Sequence, residues 1–193
     1  MDADFSIELG REDPVLDFPW KDESGKVAYR DLKRRPEQLA LVEEAERFPE
    51  LGNFLLLVNS TRSVLETAKC DVWETAELSA EETIYDLPHK FASYVDAVFC
   101  GREDRLSFSL HEQFVRKVIE WLRQAPEMKS RAEVCVRRCY FEEAGEVWEG
   151  CYFTVYVSGY GEDSARAHEN WGLGLKTMGN AIAELSDSRL GWQ

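Results

Sequence analysis

Long apolar runs are missing from this chain. The longest, Phe54–Val58, is five residues, far short of the ~20 that a membrane-spanning helix requires. No membrane span is expected. The opening MDADFSIELG is acidic and lacks a basic segment followed by an apolar one, so it does not read as a signal peptide, and a cytoplasmic location is expected. Histidine is scarce, three in 193 residues, and no HExxH, GxSxG or CxxC pattern occurs. Metalloprotease and α/β-hydrolase chemistry therefore has no support. Positive charge is also short. The net charge is −14, with 21 acids against 11 bases in residues 1–90 and 16 against 12 in residues 91–193. A chain this acidic repels phosphate backbones at long range, so nucleic acid is not an expected partner.

Cysteine is present in an odd number, at 70, 100, 135, 139 and 151. All five fall in predicted strands, away from the cationic or helix-end settings that activate a thiol. In a reducing compartment they read as small buried hydrophobes. Cys135 and Cys139, four residues apart on a strand, would stand ~13 Å apart, too far to share a metal. No metal or cofactor is expected.

Hydrophobic residues make up 44% of the chain, enough for a real core. The most informative stretch is Gly150–Tyr160, GCYFTVYVSGY. Cys151, Phe153, Val155 and Val157 alternate with Tyr152, Thr154, Tyr156 and Ser158. That period of two describes a strand with one greasy face and one aromatic, hydroxylated face. Lys90–Cys100 repeats the pattern, with Phe91, Val95 and Phe99 opposite Tyr94 and Asp96. AEVCVRRCYF, residues 132–141, reads as a third strand, joined to the next through a turn at Ala144-Gly145. Taking Cys135 and Cys139 as its greasy side puts Arg137 there too, and sends Arg138 and Tyr140 to the tyrosine face. Residues 62–74 supply a fourth strand, and 75–88 an acidic loop.

Helices are expected from Pro36 to Phe48, with Pro36 in the first turn and Pro49 as a break. A second runs over Leu51–Val58. A third carries a capping box at Ser109 and Glu112 and ends at Ala125-Pro126. A last one is capped by Asp163, with His168, Trp171, Leu175, Met178, Ile182 and Leu185 as its stripe. Gly159-Tyr160-Gly161 resembles a phosphate cradle, but Glu162 and Asp163 put carboxylates where the anion would sit. His168 reads as a boundary residue of the stripe. The tail Ser186–Gln193 reads as loosely held.

The fold class that follows is α+β, a mainly antiparallel sheet with helices on one face. The element order is helix–strand–strand twice, then a closing helix. Residues 1–35 form an N-terminal β-rich arm, with FSIELG and KVAYRDL as strand candidates and a turn cluster between them. Residues 36–193 form the α+β domain.

The exposed sheet face would collect Tyr94, Asp96, Arg138, Tyr140, Tyr152, Thr154 and Tyr156. Three readings of it stand side by side. The arm, with Phe18, Trp20 and Tyr29, covers it; a protein partner, another copy of the chain or a different protein, docks on it; or the chain is a small-molecule binding protein or enzyme with a pocket between this face and the arm, where Asp96, Arg138 and Tyr156 are the polar groups. With no catalytic motif, the residues leave enzyme activity undecided and favour a non-catalytic interaction module.

Overall fold

The computed structural model describes residues 1–22, 24, 25, 27–75, 78 and 84–188. The chain is α+β, as the alternation implies. In order it forms β1 (Asp2–Glu8), β2 (Val15–Phe18), a 3-10 turn (Pro36–Leu41), α1 (Glu43–Arg47), α2 (Pro49–Val58), β3 (Leu65–Thr75), β4 (His89–Phe99), α3 (Arg102–Leu106), α4 (Phe108–Gln124), β5 (Ser130–Glu143), β6 (Glu146–Gly161) and α5 (Ser164–Ser188).

The six strands make one sheet in the order β1-β5-β6-β4-β3, with β2 also beside β5. The pairs β5–β6, β6–β4 and β4–β3 are antiparallel. β1 and β2 are not. They run parallel to β5, end to end, β1 along Arg131–Arg137 and β2 along Arg138–Phe141. The sheet is therefore mixed rather than wholly antiparallel, and the first 18 residues contribute its edge. The two prolines around VLDF mask β2, which has only four residues and pairs with a strand more than a hundred positions away. KVAYRDL forms no strand; within its described part only Ala28 makes an isolated bridge, to Lys21.

Helices α2, α4 and α5 cover one face. Val95, Phe99, Val134, Val136, Phe153, Val155 and Val157 meet Leu55, Phe114, Val118, Trp171, Leu175 and Met178 there in one buried cluster. Phe99 stands edge-on to Phe153 and Phe114, with ring centroids 5.2 and 5.5 Å away. Trp171, fully buried, donates its indole N–H to Ser93 Oγ at 2.9 Å. Helix α5 lies directly against the end of β6, where a β-carbon on Gly159 would come within 2.0 Å of Trp171 N. A glycine is needed there for close approach.

Local signals decide the ends. Asp163 Oδ1 accepts from Arg166 N at 2.8 Å and caps α5. Ser107, not Ser109, caps α4, accepting from Leu110 N at 3.3 Å. Pro49 opens α2 rather than only closing the helix before it. Gly101 caps the short α3. The β5–β6 hairpin turns at Ala144 and Gly145, with φ of 53° and 83°, the positive pair that a two-residue hairpin demands. Of the acidic 75–88 loop, residues 76, 77 and 79–83 lie outside the described residues, as do 189–193 of the tail. Ser186, inside that tail, is buried and ends within α5.

A wrapped edge strand and the cleft beneath the arm

The second face of the sheet is partly closed. From β2, beside β5, the chain crosses that face and reaches β3 at the opposite edge. Trp20 and Tyr29 close a small loop on the way, Tyr29 N donating to Trp20 O at 2.6 Å. Leu16, Phe18, Ala68, Val98, Cys139, Phe141 and Tyr152 form a second buried cluster under this crossing, with Trp20, Tyr29 and Trp148 packed on it. Of the three sequence readings of this face, cover by the arm holds for Tyr152, which is 3% exposed. Burial pushes its phenol up to about 12.

The crossing is pinned by a buried ion pair. Arg105 Nη2 binds Glu66 Oε1, and Tyr29 Oη donates to Glu66 Oε2 at 3.1 Å. The Arg105 guanidinium lies over Phe18 and Phe141, 5.2 and 4.9 Å from their ring centroids. Lys33 then ties the chain to the far side of β3, donating to the carbonyls of Ser60, Ser63 and Leu65 at 2.7–3.0 Å. Beyond it come the 3-10 turn and α1. The segment from Trp20 to Glu44 thus wraps around edge strand β3 from one face of the sheet to the other. Covering an edge in this way protects it from pairing with foreign strands.

The wrap does not close completely. A cleft of about 310 Å³ remains between it and Thr67–Cys70. Trp20, Val27, Ala28 and Arg30 form its arm wall, and Leu41, Val42, Glu43 and Glu44 its helix wall, with Leu55 and Thr67 deeper in. This size sits at the lower end of the range for small-molecule sites. A bulge at Ala68 shifts the β3 register between Thr67 and Lys69. Such an extra residue re-aims the side chains after it, and here Lys69 comes opposite Asp96.

Candidate functional site

At the inner end of the cleft a polar network crosses five strands, β3, β4, β6, β5 and β1. Asp96, 2% exposed, accepts from Thr154 Oγ1 at 2.6 Å and lies 3.6 Å from Lys69 Nζ. Thr154 in turn accepts from Arg137 Nη1 at 2.9 Å, and the same nitrogen reaches Tyr156 Oη at 3.2 Å. Arg137 Nε donates to Glu8 Oε2 at 2.7 Å. Burial raises the pKa of Asp96, and the bond from Thr154 and the charge of Lys69 oppose it. Burial also works against the charge of Arg137, but Tyr156 and Glu8 outweigh it and hold its pKa above the ordinary range. Lys69 Nζ is caught between two rings, 5.6 Å from the Trp20 centroid and 5.7 Å from that of Tyr94.

Five of the seven residues that alternation assigns to this face are on it: Tyr94, Asp96, Tyr152, Thr154 and Tyr156. Arg138 and Tyr140 are not. In the β5–β6 register Arg137 stands opposite Tyr152, whereas Arg138 stands opposite Cys151 and Tyr140 opposite Glu149. Arg138 instead donates to Gly10 O at 2.7 Å. Its neighbours Val134 and Val136 pack with the helices, and Cys135, Arg137 and Cys139 turn the other way. Alternating Val and Cys in EVCVRRC, residues 133–139, makes either assignment equally apolar, so the parity is invisible in β5 alone. Arg137 takes the place beside Asp96 and Tyr156 that the sequence reading gave to Arg138. Lys69 was missed because its orientation depends on the bulge.

The uncovered part of the face is aromatic. Trp73, Tyr94 and Tyr156 form a row across β3, β4 and β6, with centroid spacings of 6.3 and 6.1 Å. Burial raises the Tyr94 phenol well above its ordinary range, and the charge of Asp96 adds to this.

Comparison of the chain with protein families, with curated proteins and with solved structures finds no match in any of the three. The chemistry must be read from the site alone. Among the described residues no group of three or more His, Cys, Asp or Glu side chains could hold a metal, and no helix is long and apolar enough to cross a membrane. The arrangement can do two things. The cleft can enclose a small molecule against Trp20, with apolar side chains around it and charged ones at its margins. The Asp96–Thr154–Arg137 chain can hold Lys69 and Tyr156 in fixed positions next to that space, since each buried polar group in it has a partner. His168 stays a boundary residue: it stacks on Trp171 at 5.4 Å and lies 3.6 Å from Glu50.

Proposed function

We propose that this chain is a binding protein for a small organic molecule, held in the cleft between the N-terminal arm and β3. The observation that carries this is the cleft itself: about 310 Å³, walled by Trp20, Val27, Leu41, Val42 and Leu55, with Lys69 positioned by Asp96 at its inner end. Concave sites with mostly apolar walls and a few fixed polar groups are the usual form of small-ligand sites. The five cysteines, none of them in a disulfide, fit a reducing compartment such as the cytoplasm. The test is titration with N-phenyl-1-naphthylamine, an uncharged dye, followed by its fluorescence. Native protein binds the dye, Ala28→Trp, which fills the cleft, loses that binding, and Leu173→Trp on the exposed side of α5 keeps it. Equal binding by both variants would place the dye elsewhere and refute the reading.

A second reading rests on the row Trp73–Tyr94–Tyr156. An exposed aromatic strip suits a protein partner, a second copy or another chain. Trp73→Ser with Tyr156→Ser then lowers the association state seen by light scattering without lowering the melting temperature much. An unchanged association state removes this reading.

A further inference from the structure

Taking the cleft as a ligand site, we propose that its ligand is amphoteric: a small molecule with a carboxylate, an ammonium group and an apolar body, a free apolar amino acid being the simplest. The lining has both signs of charge on different walls. Arg30 comes from the arm and Lys69 from β3, while Glu43 and Glu44 come from α1. Other described charges of the chain meet a partner directly, Arg105 with Glu66, Arg137 with Glu8, Arg34 with Asp31 and Arg116 with Glu112, and Lys69 is held by Asp96. Arg30, Glu43 and Glu44 make no ion pair among the described residues.

These charges act across the space. The Cys70 thiol, on the β3 side, is pushed up to about 12 by burial and, after that, by the charge of Glu44. A ligand with one pole of each sign satisfies both walls. A simple anion would face Glu43, Glu44 and the field of a chain of net charge −14. A simple cation would face Arg30, which has no ion-pair partner among the described residues, beside a Lys69 already paired with Asp96. Trp20, Val27, Leu41 and Val42 then accept the apolar body.

Calorimetric titration of the full chain with L-phenylalanine, hydrocinnamate and phenethylamine tests this. The second compound lacks the ammonium group and the third lacks the carboxylate. L-phenylalanine binds about tenfold tighter than either, the effect of losing one hydrogen bond to a charged group. Glu44→Gln removes its advantage over hydrocinnamate, and Arg30→Gln its advantage over phenethylamine. If either analogue binds as tightly as L-phenylalanine, or if none of the three binds while the dye still does, the ligand is not amphoteric and only the cleft reading stands. If the dye also fails to distinguish Ala28→Trp from Leu173→Trp, the cleft reading falls with it.

Discussion

Arg105→Ala should release the crossing arm, and its cost can be worked from the contacts. The side chains of Arg105 and Glu66 are 11% and 3% exposed. Besides Glu66, the guanidinium serves Phe99 O, to which Nε donates at 2.6 Å, and it covers the rings of Phe18 and Phe141. Without it the Glu66 carboxylate stays buried with only the Tyr29 hydroxyl at 3.1 Å and Arg34 at 3.7 Å. Breaking a buried pair by removing one partner costs about 3–5 kcal/mol. For a chain of this size that is a fall in melting temperature of roughly 6–20 °C. Urea denaturation followed by circular dichroism measures it. Arg105→Met combined with Glu66→Met removes both charges and keeps apolar bulk, so it should lie much closer to the native protein than Arg105→Ala does. A cost for Arg105→Ala below about 1 kcal/mol, the range of exposed pairs, would refute the view that this pair is buried and holds the arm.

Gly159→Ala pushes a β-carbon into the backbone of α5 at Trp171 and Ala167; overpacking of this kind costs about 1–3 kcal/mol or more, and unchanged stability in urea would mean α5 does not sit there. His111 is fully buried, with Nδ1 2.8 Å from Ser107 O and Nε2 3.1 Å from Cys151 O, and burial outweighs both bonds and holds its pKa down to about 4. The unfolded chain, with an ordinary value near 6.5, binds a proton that the folded chain refuses, so stability should fall by about 3 kcal/mol as pH drops from about 6.5 to 4. His111→Gln should lose that component, and parallel pH profiles for the two proteins would contradict it. Tyr152→Ser, which empties a covered site, should destabilise the fold by about 3–5 kcal/mol, whereas Tyr156→Ser on the half-exposed rim should cost less; equal losses in thermal melts would deny the difference between the covered and open halves of the face.

Much of the fold was legible because it is written in local periodicity. The alternation of β6 and β4 separates the helix-packed residues from Tyr94, Asp96, Tyr152, Thr154 and Tyr156, and the stripe from Trp171 to Ile182 with Asp163 at its head defines α5. What local periodicity cannot carry is long-range pairing. β2 is short and flanked by prolines, and its parallel pairing with β5 depends on residues far along the chain. β5 is apolar on both sides, so its parity is set by its neighbours. The bulge at Ala68 reorients Lys69 without any mark in composition. The cleft is more remote still: it exists because Trp20 to Glu44 passes from one face of the sheet to the other around β3, and no single segment contains it.

The central claim, that this wrapped edge encloses a ligand site, is tested most directly by two-dimensional amide NMR of the full chain during titration with the uncharged dye N-phenyl-1-naphthylamine. The account predicts that shifts concentrate on the Trp20 indole N–H, Ala28, Val42 and the amides of Thr67–Cys70. Shifts confined to Trp73, Tyr94 and Tyr156, or spread evenly over the surface, would contradict it.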